Sequence, residues 1–225
     1  MSYILHIETA TKNCSVSIAK SGALIALKEL NTGGYSHAEK LHVFIEEVLS
    51  EAGIEFSDLS AVSVGKGPGS YTGLRIGVSA AKGICFALEI PLIAIASLTI
   101  LARAVKEDTG SIIPLLDARR LEVYSAVFNA DHTLVRETQA EIIDTTSFES
   151  YLEKGKVFFV GDGAEKCKAY IQHENANFIT DAYPSTKEMC ALSYERFLHE
   201  DFEDVAYFEP FYLKDFVGTK PKKRA

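Results

Sequence analysis

Two carboxylates stand at equivalent places in the chain. Tyr3–Ile7 is a short apolar run that stops at Glu8 and enters the polar turn Thr9-Ala10-Thr11-Lys12-Asn13. Ile112–Leu116 is a second such run; it stops at Asp117 and enters Ala118-Arg119-Arg120. A carboxylate at the end of a buried strand can hold a hard cation or face a phosphate when two such turns converge. By itself it caps a turn. Glu8, Thr9 and Asp117 are therefore the candidate phosphate or metal positions, and the spacing leaves both readings open. Arg119 and Arg120 could pair with the same phosphate or form an ordinary surface salt bridge.

The glycine-rich segment Gly65-Lys66-Gly67-Pro68-Gly69-Ser70-Tyr71-Thr72-Gly73-Leu74-Arg75-Ile76-Gly77 is the next candidate. No Gly-Lys-Ser/Thr closes it, so it is not a P-loop, and Ser70 stands where a dinucleotide fingerprint needs glycine. It still lets the backbone approach an anion closely, at the N-terminus of the helix that follows. Nucleophile chemistry is absent: there is no G-x-S-x-G elbow, and the six histidines sit in no triad context. His37 and His42 are five residues apart, which turns their rings about 140° from each other on a helix and prevents a shared metal. Cys14, Cys85, Cys167 and Cys190 form no CxxC pair. No catalytic residue and no metal site is expected.

The elements that must position these groups occur twice. Strand Tyr3–Ile7, strand Cys14–Ala19 and strand Ala23–Leu30 form a meander, with a turn at Ser21-Gly22. Leu41, Phe44, Ile45, Val48, Leu49 and Ala52 recur at helical spacing before Gly53. Strand Ala61–Val64, helix Gly73–Leu88, strand Pro91–Ala96 and a helix that Ser97 caps complete the first half. The second half repeats the order: strands Ile112–Leu116, Leu121–Phe128 and Thr133–Glu137, a helix near Ser147–Lys154, strand Val157–Val160, helix Ala164–His173, a strand at Phe178-Ile179 and helix Ser185–Glu200. This is an α/β chain with a duplicated βββαβα unit, the layout of actin-like (ASKHA, ribonuclease H-like) two-lobed proteins, whose two meander turns face each other across a nucleotide cleft. The lobes are placed at 1–105 and 106–225, the second reduced and the last helix packing back on the first lobe.

The helices carry a second message. Gly73, Gly77 and Ala81, with Ile76, Ala80, Gly83 and Ala87, put small residues at spacings of three and four. Each glycine inside a helix costs about 1 kcal/mol relative to alanine, so close packing is expected there, against the protein's own sheet or against a partner. His37, Leu41, Phe44 and Val48 with Gly73, Gly77, Ala80 and Ile84 are the expected partner surface, which could also join two copies as a C2 dimer.

The chain has 225 residues, 47% hydrophobic and 24% charged, enough to bury a core and too apolar for a disordered protein. Its net charge of −8 argues against an independent grip on nucleic acid. The last twelve residues, with Lys214, Lys220, Lys222, Lys223 and Arg224 against Asp215, carry +4 and leave −12 for the body. That tail is a solvated terminus or a minor phosphate contact. The N-terminus lacks signal-peptide features, and the uncharged stretch Ile90–Ala102, interrupted by Pro91, is 13 residues long, too short for a bilayer. A cytoplasmic protein with no membrane contact is expected.

The string Gly67-Pro-Gly-Ser-Tyr-Thr-Gly-Leu-Arg75 resembles the signature of the TsaB (YeaZ) family. Ile4–Ala10, Ser36–Leu41, Leu116–Arg120 with Glu122-Val-Tyr124, Gly161–Ala164 and Pro210–Leu213 match it further, in order along nearly the whole chain. The resemblance implies an actin-like fold and a non-catalytic role in making threonylcarbamoyladenosine beside the tRNA anticodon. It also implies a heterodimer with the TsaD paralogue, which carries the metal, the ATPase TsaE as co-worker, and tRNA contact only within that complex. The alternative is a free-standing actin-like ATPase or small-molecule kinase holding ATP or ADP with Mg between Glu8 and Asp117. A metal-dependent peptidase is disfavoured by the missing histidine pair.

Overall fold

The computed structural model describes residues 2–31, 33–34 and 36–214. The basic residues Lys220–Arg224 of the tail lie outside the described residues. Two five-stranded sheets carry the fold. The first is built from β1 (Tyr3–Glu8), β2 (Cys14–Lys20), β3 (Ala23–Leu30), β4 (Leu59–Gly67) and β5 (Leu92–Ala96), in the order β3-β2-β1-β4-β5. β1 runs antiparallel to β2 and parallel to β4. The second uses β6 (Ser111–Asp117), β7 (Glu122–Asn129), β8 (Leu134–Ile142), β9 (Val157–Val160) and β10 (Ala176–Ile179), in the order β10-β9-β6-β7-β8. Read from the meander edge, the two orders are the same. The duplicated layout is that of the actin-like, two-lobed fold.

Helix α1 (His37–Ala52) and helix α2 (Tyr71–Leu88) cover one face of the first sheet. Leu5 and Ile7 of β1 point into that layer against Leu41, Phe44, Ile45 and Val48 of α1 and Val78 and Ala81 of α2. Alternation sends Ile4, His6 and Glu8 to the opposite face. Gly53, at φ 66°, ends α1 in the left-handed conformation that glycine adopts without strain. Ser70 caps α2, its hydroxyl accepting from the Gly73 N–H at 3.3 Å.

The short helix α3 (Ser97–Ala102) is the wedge between the lobes. Ile100 packs beneath the first sheet, whereas Leu98 and Leu101 enter the core of the second with Ile112, Leu116 and Phe158. Ser97 does not cap it: Ala96 holds that position, and Ser97 turns inward. The helices of the second half are shorter than the sequence suggests. α4 spans Glu149–Leu152, α5 spans Ala164–Cys167, and the last predicted helix divides into a tight turn at Thr186–Glu188 and α6 (Cys190–Leu198).

α6 lies on the outer face of the first sheet, seated by small hydroxyls. Ser193 Oγ is 2.7 Å from Ser63 Oγ, Ser15 Oγ is 2.7 Å from Thr186 Oγ1, and Asn13 donates to the Pro184 carbonyl at 3.1 Å. Arg196 donates to the Ala94 carbonyl at 2.8 Å. Buried polar groups are tolerated where they meet partners. Among the described residues, no helix is long and apolar enough to cross a membrane.

Candidate functional site

The two meander turns do approach a common cleft, with a cavity volume of about 1110 Å3. Its first-lobe wall is the turn Ala10–Lys12 and the N-terminus of α2, from Pro68 to Gly73. Its second-lobe wall is Leu116–Arg119 with Tyr124, Asp162 and Glu165, and Thr180, Asp181 and Tyr183 complete that side.

Glu8 and Thr9 lie beneath this cleft rather than in it. Glu8 is 0% exposed, and its two oxygens accept from the Ala10 N–H at 2.6 Å and the Ser97 hydroxyl at 3.0 Å. A Cβ on Gly65 would sit 2.0 Å from Glu8 Oε2, so glycine is what makes room for the carboxyl. Burial raises the Glu8 pKa to about 7, against the pull of those hydrogen bonds. Thr9 donates its hydroxyl to the Gly73 carbonyl at 2.8 Å. Asp117 alone of the three candidates stands on the cleft wall, exposed. Of the two readings that the spacing leaves open for Glu8, the geometry matches the turn: the first turn closes on its own carboxyl group.

The same geometry explains two of the helix glycines. A Cβ on Gly73 would meet the Thr9 carbonyl at 2.2 Å, and one on Gly77 would meet Thr9 Oγ1 at 2.3 Å. Close packing there is against the protein's own first turn. Of the expected partner surface, Leu41 and Val48 are 0% exposed, Phe44 9% and His37 2%, with Gly73 and Gly77 also buried. These six hold the chain's own interior together, while Ala80 and Ile84 are half-buried. His37 donates its Nε2–H to the Thr11 carbonyl at 2.7 Å, fixing the turn to α1. His42 is exposed. The open faces of the two helices carry other residues: Val43, Ser79, Gly83 and Phe86.

Asp117 is held by a residue that the sequence does not single out. Lys166 Nζ lies 2.5 Å from Asp117 Oδ1 and donates also to the carbonyls of Arg120 at 3.0 Å and Glu122 at 2.5 Å. Arg119 and Arg120, at φ 72° and 53°, form the tight bend that Lys166 spans. The Arg119 N–H donates to Asp117 Oδ1 at 2.8 Å, and the Asp117 N–H donates to Asp162 at 3.0 Å. Burial, with the charge of Asp117 nearby, raises the Asp162 pKa.

The fit to a magnesium nucleotide is one-sided. Lys12 and the capped N-terminus of α2 suit an anion. The opposite wall sets Asp117, Asp162, Glu165 and Asp181 beside Arg119 and Lys214, with Asp117 already paired to Lys166, and Glu8 is enclosed. With Glu8 enclosed, the residues present do not form a two-carboxylate magnesium cradle across the cleft. Among the described residues, no three His, Cys, Asp or Glu side chains are grouped as a metal site.

Comparison with known proteins then decides the family. Residues 32–221 match the family model described as TsaD, tRNA N6-adenosine threonylcarbamoyltransferase. The tRNA threonylcarbamoyladenosine biosynthesis protein TsaB of Bacillus subtilis is 30% identical over 172 residues, 75% of each chain. The chain belongs to the TsaB (YeaZ) family. The Escherichia coli TsaB is 28% identical over 226 residues, covering 96% of each chain. YeaZ from Pseudomonas aeruginosa, a solved structure, superposes with a TM-score of 0.83 at 24% identity, over 95% of this chain and all of that one. The structure places the string Gly67–Arg75 at the end of β4, on the following loop and on the first turn of α2, beside the cleft.

Proposed function

We propose that this chain is the non-catalytic partner subunit required for transfer of the threonylcarbamoyl group to the adenosine beside the tRNA anticodon. It works as a heterodimer with a TsaD-type paralogue and with a TsaE-type ATPase, and it meets tRNA only within that complex. The observation that supports this role most directly lies on α2. Gly83 sits in mid-helix where an added Cβ would point into open space among the described residues, and Phe86, three residues on, is 82% exposed. A helix glycine costs about 1 kcal/mol relative to alanine, and no contact at the Cβ position among the described residues recovers it. Gly83 lets a partner helix approach α2 to the short end of the usual 8–10 Å, with Phe86 beside it; Val43 on α1 is also exposed, at 44%. Without the paralogue, the same surface joins two copies of this chain.

In this role the chain needs no nucleotide turnover, which agrees with the enclosure of Glu8, and an acidic body leaves the RNA to its partners. The test is co-expression with the paralogue followed by size-exclusion, together with reconstituted modification of tRNA. Gly83→Leu is expected to lose the 1:1 complex with a melting temperature that is not lowered, and modification to fail when the chain is omitted. A Gly83→Leu, Phe86→Asp chain that still elutes as a 1:1 complex would sink the docking surface. Turnover of Mg-ATP by the chain alone would favour the free-standing ATPase instead.

A further inference from the structure

After α6 the chain runs back along the first lobe and then leaves it. Lys82 of α2 donates to the carbonyls of Ala206 at 3.2 Å and Phe208 at 2.9 Å, and the Phe208 side chain packs at the edge of the α1–α2 core. The Phe211 N–H donates to the Lys66 carbonyl at 2.8 Å. Gly67, at φ 99°, leaves the passage open: a Cβ there would come within 3.2 Å of the Phe211 carbonyl. Arg75 donates through Nε to the Tyr212 hydroxyl at 3.1 Å and lies 4.1 Å above the Tyr71 ring, whose centroid is 4.9 Å from that of Tyr212. Lys214 then reaches the second lobe and pairs with Glu122 at the start of β7. Phe211, Tyr212, Leu213 and Lys214 all line the cleft.

We propose that residues 206–214 are a strap across the cleft, fixed on the first lobe and caught on the second by the Lys214–Glu122 pair, so that this catch sets how far the lobes open. The two ends differ in strength. On the first lobe, four hydrogen bonds, a cation–π stack and an apolar anchor act together. The catch is an ion pair between partly exposed side chains, 41% for Lys214 and 22% for Glu122. Pairs of that kind contribute about 0–1 kcal/mol and weaken with salt. The strap therefore stays on α2 while its far end releases and recaptures. This device is independent of any partner, so its failure leaves the docking surface untouched, and the reverse holds too.

Spin labels on Cys replacements of Thr72 and Glu165, both exposed and on opposite walls of the cleft, measure the opening in the full chain. The four native cysteines are buried, with thiol pKa values pushed up to about 11 or 12, so the new sites react selectively. In a Glu122→Gln background the long-distance population is expected to rise about two- to fivefold, the factor an exposed pair controls. High salt should do the same to the parent and nothing to the variant. Glu122→Lys should open the cleft likewise, and adding Lys214→Glu should close it again. An unchanged distance distribution in Glu122→Gln, or a charge reversal that fails to restore closure, overturns the proposal; a melting curve for each variant separates opening from unfolding.

Discussion

Ser97 donates its hydroxyl to Glu8 at 3.0 Å, joining the end of the first strand to the first residue of the helix that wedges between the lobes. A carboxyl group completely enclosed in this way is held by donors rather than by water, and its ionisation is coupled to folding. Removing the hydroxyl alone leaves one carboxyl oxygen of Glu8 without a side-chain donor. Ser97→Ala should cost about 1–3 kcal/mol, the usual penalty for a buried group left unpaired. Urea denaturation of the two chains checks it, and no loss would mean that the pair contributes little.

His6 and Glu8 lie on the same face of β1 and push the pH profile in opposite directions. Burial raises Glu8 from 4.5 to about 7, so between these values the folded chain keeps a proton that the unfolded chain has released. Its contribution is fully present below pH 4.5 and is lost as pH rises through 7. Burial lowers His6 from 6.5 to about 4, so there the unfolded chain holds the extra proton, and stability rises with pH across that window. Glu8→Gln removes the falling limb and leaves the rising one. Unfolding free energies at pH 5 and pH 7 should then separate in the variant by up to about 2 kcal/mol and lie closer together in the parent. A parent and variant with parallel profiles would contradict the assignment.

The helix glycines divide into two kinds. Gly77 faces Thr9 Oγ1, 2.3 Å from where a Cβ would be, and Gly83 faces open space among the described residues. Gly77→Ala should therefore destabilise the chain by about 1–3 kcal/mol through overpacking. Gly83→Ala should stabilise it by up to about 1 kcal/mol through helix propensity. Thermal melts of the two single variants distinguish them, and the same sign for both would refute the division.

That contrast shows what was legible in the residues alone. The duplicated order of elements was readable because β1, β6 and α1 bury regular runs, such as Leu41, Phe44, Ile45 and Val48 on α1, whose period depends on local geometry. Small residues at helical spacing announced close packing on α2, but not which side of the helix each glycine served. Gly73 and Gly77 answer to Thr9, more than sixty residues away in sequence, and only the fold brings that turn beneath α2. Whether Glu8 faces the cleft or lies beneath it is not legible, because a strand-end carboxylate carries no sign of its depth. Ser97 and Gly65, which enclose it, come from two other strand ends. Lys166 and the Tyr212–Arg75 contact have no local signature either, since a lone lysine or tyrosine is common on any surface.

Lys166 gives the last prediction. Its ammonium bridges Asp117 and the carbonyls of Arg120 and Glu122, so one side chain closes a bend in which two consecutive non-glycine residues have positive φ. Such backbone conformations persist where surrounding contacts impose them. Lys166→Met keeps the aliphatic stem and removes all three interactions. It should cost about 1–2 kcal/mol, because hydrogen bonds to a charged group exceed neutral ones. The loss should be local: hydrogen exchange at residues 118–122 should accelerate, while the amides of β1 and β4 keep their protection. Uniform acceleration across both lobes would instead make Lys166 a global stabiliser and detach it from the bend.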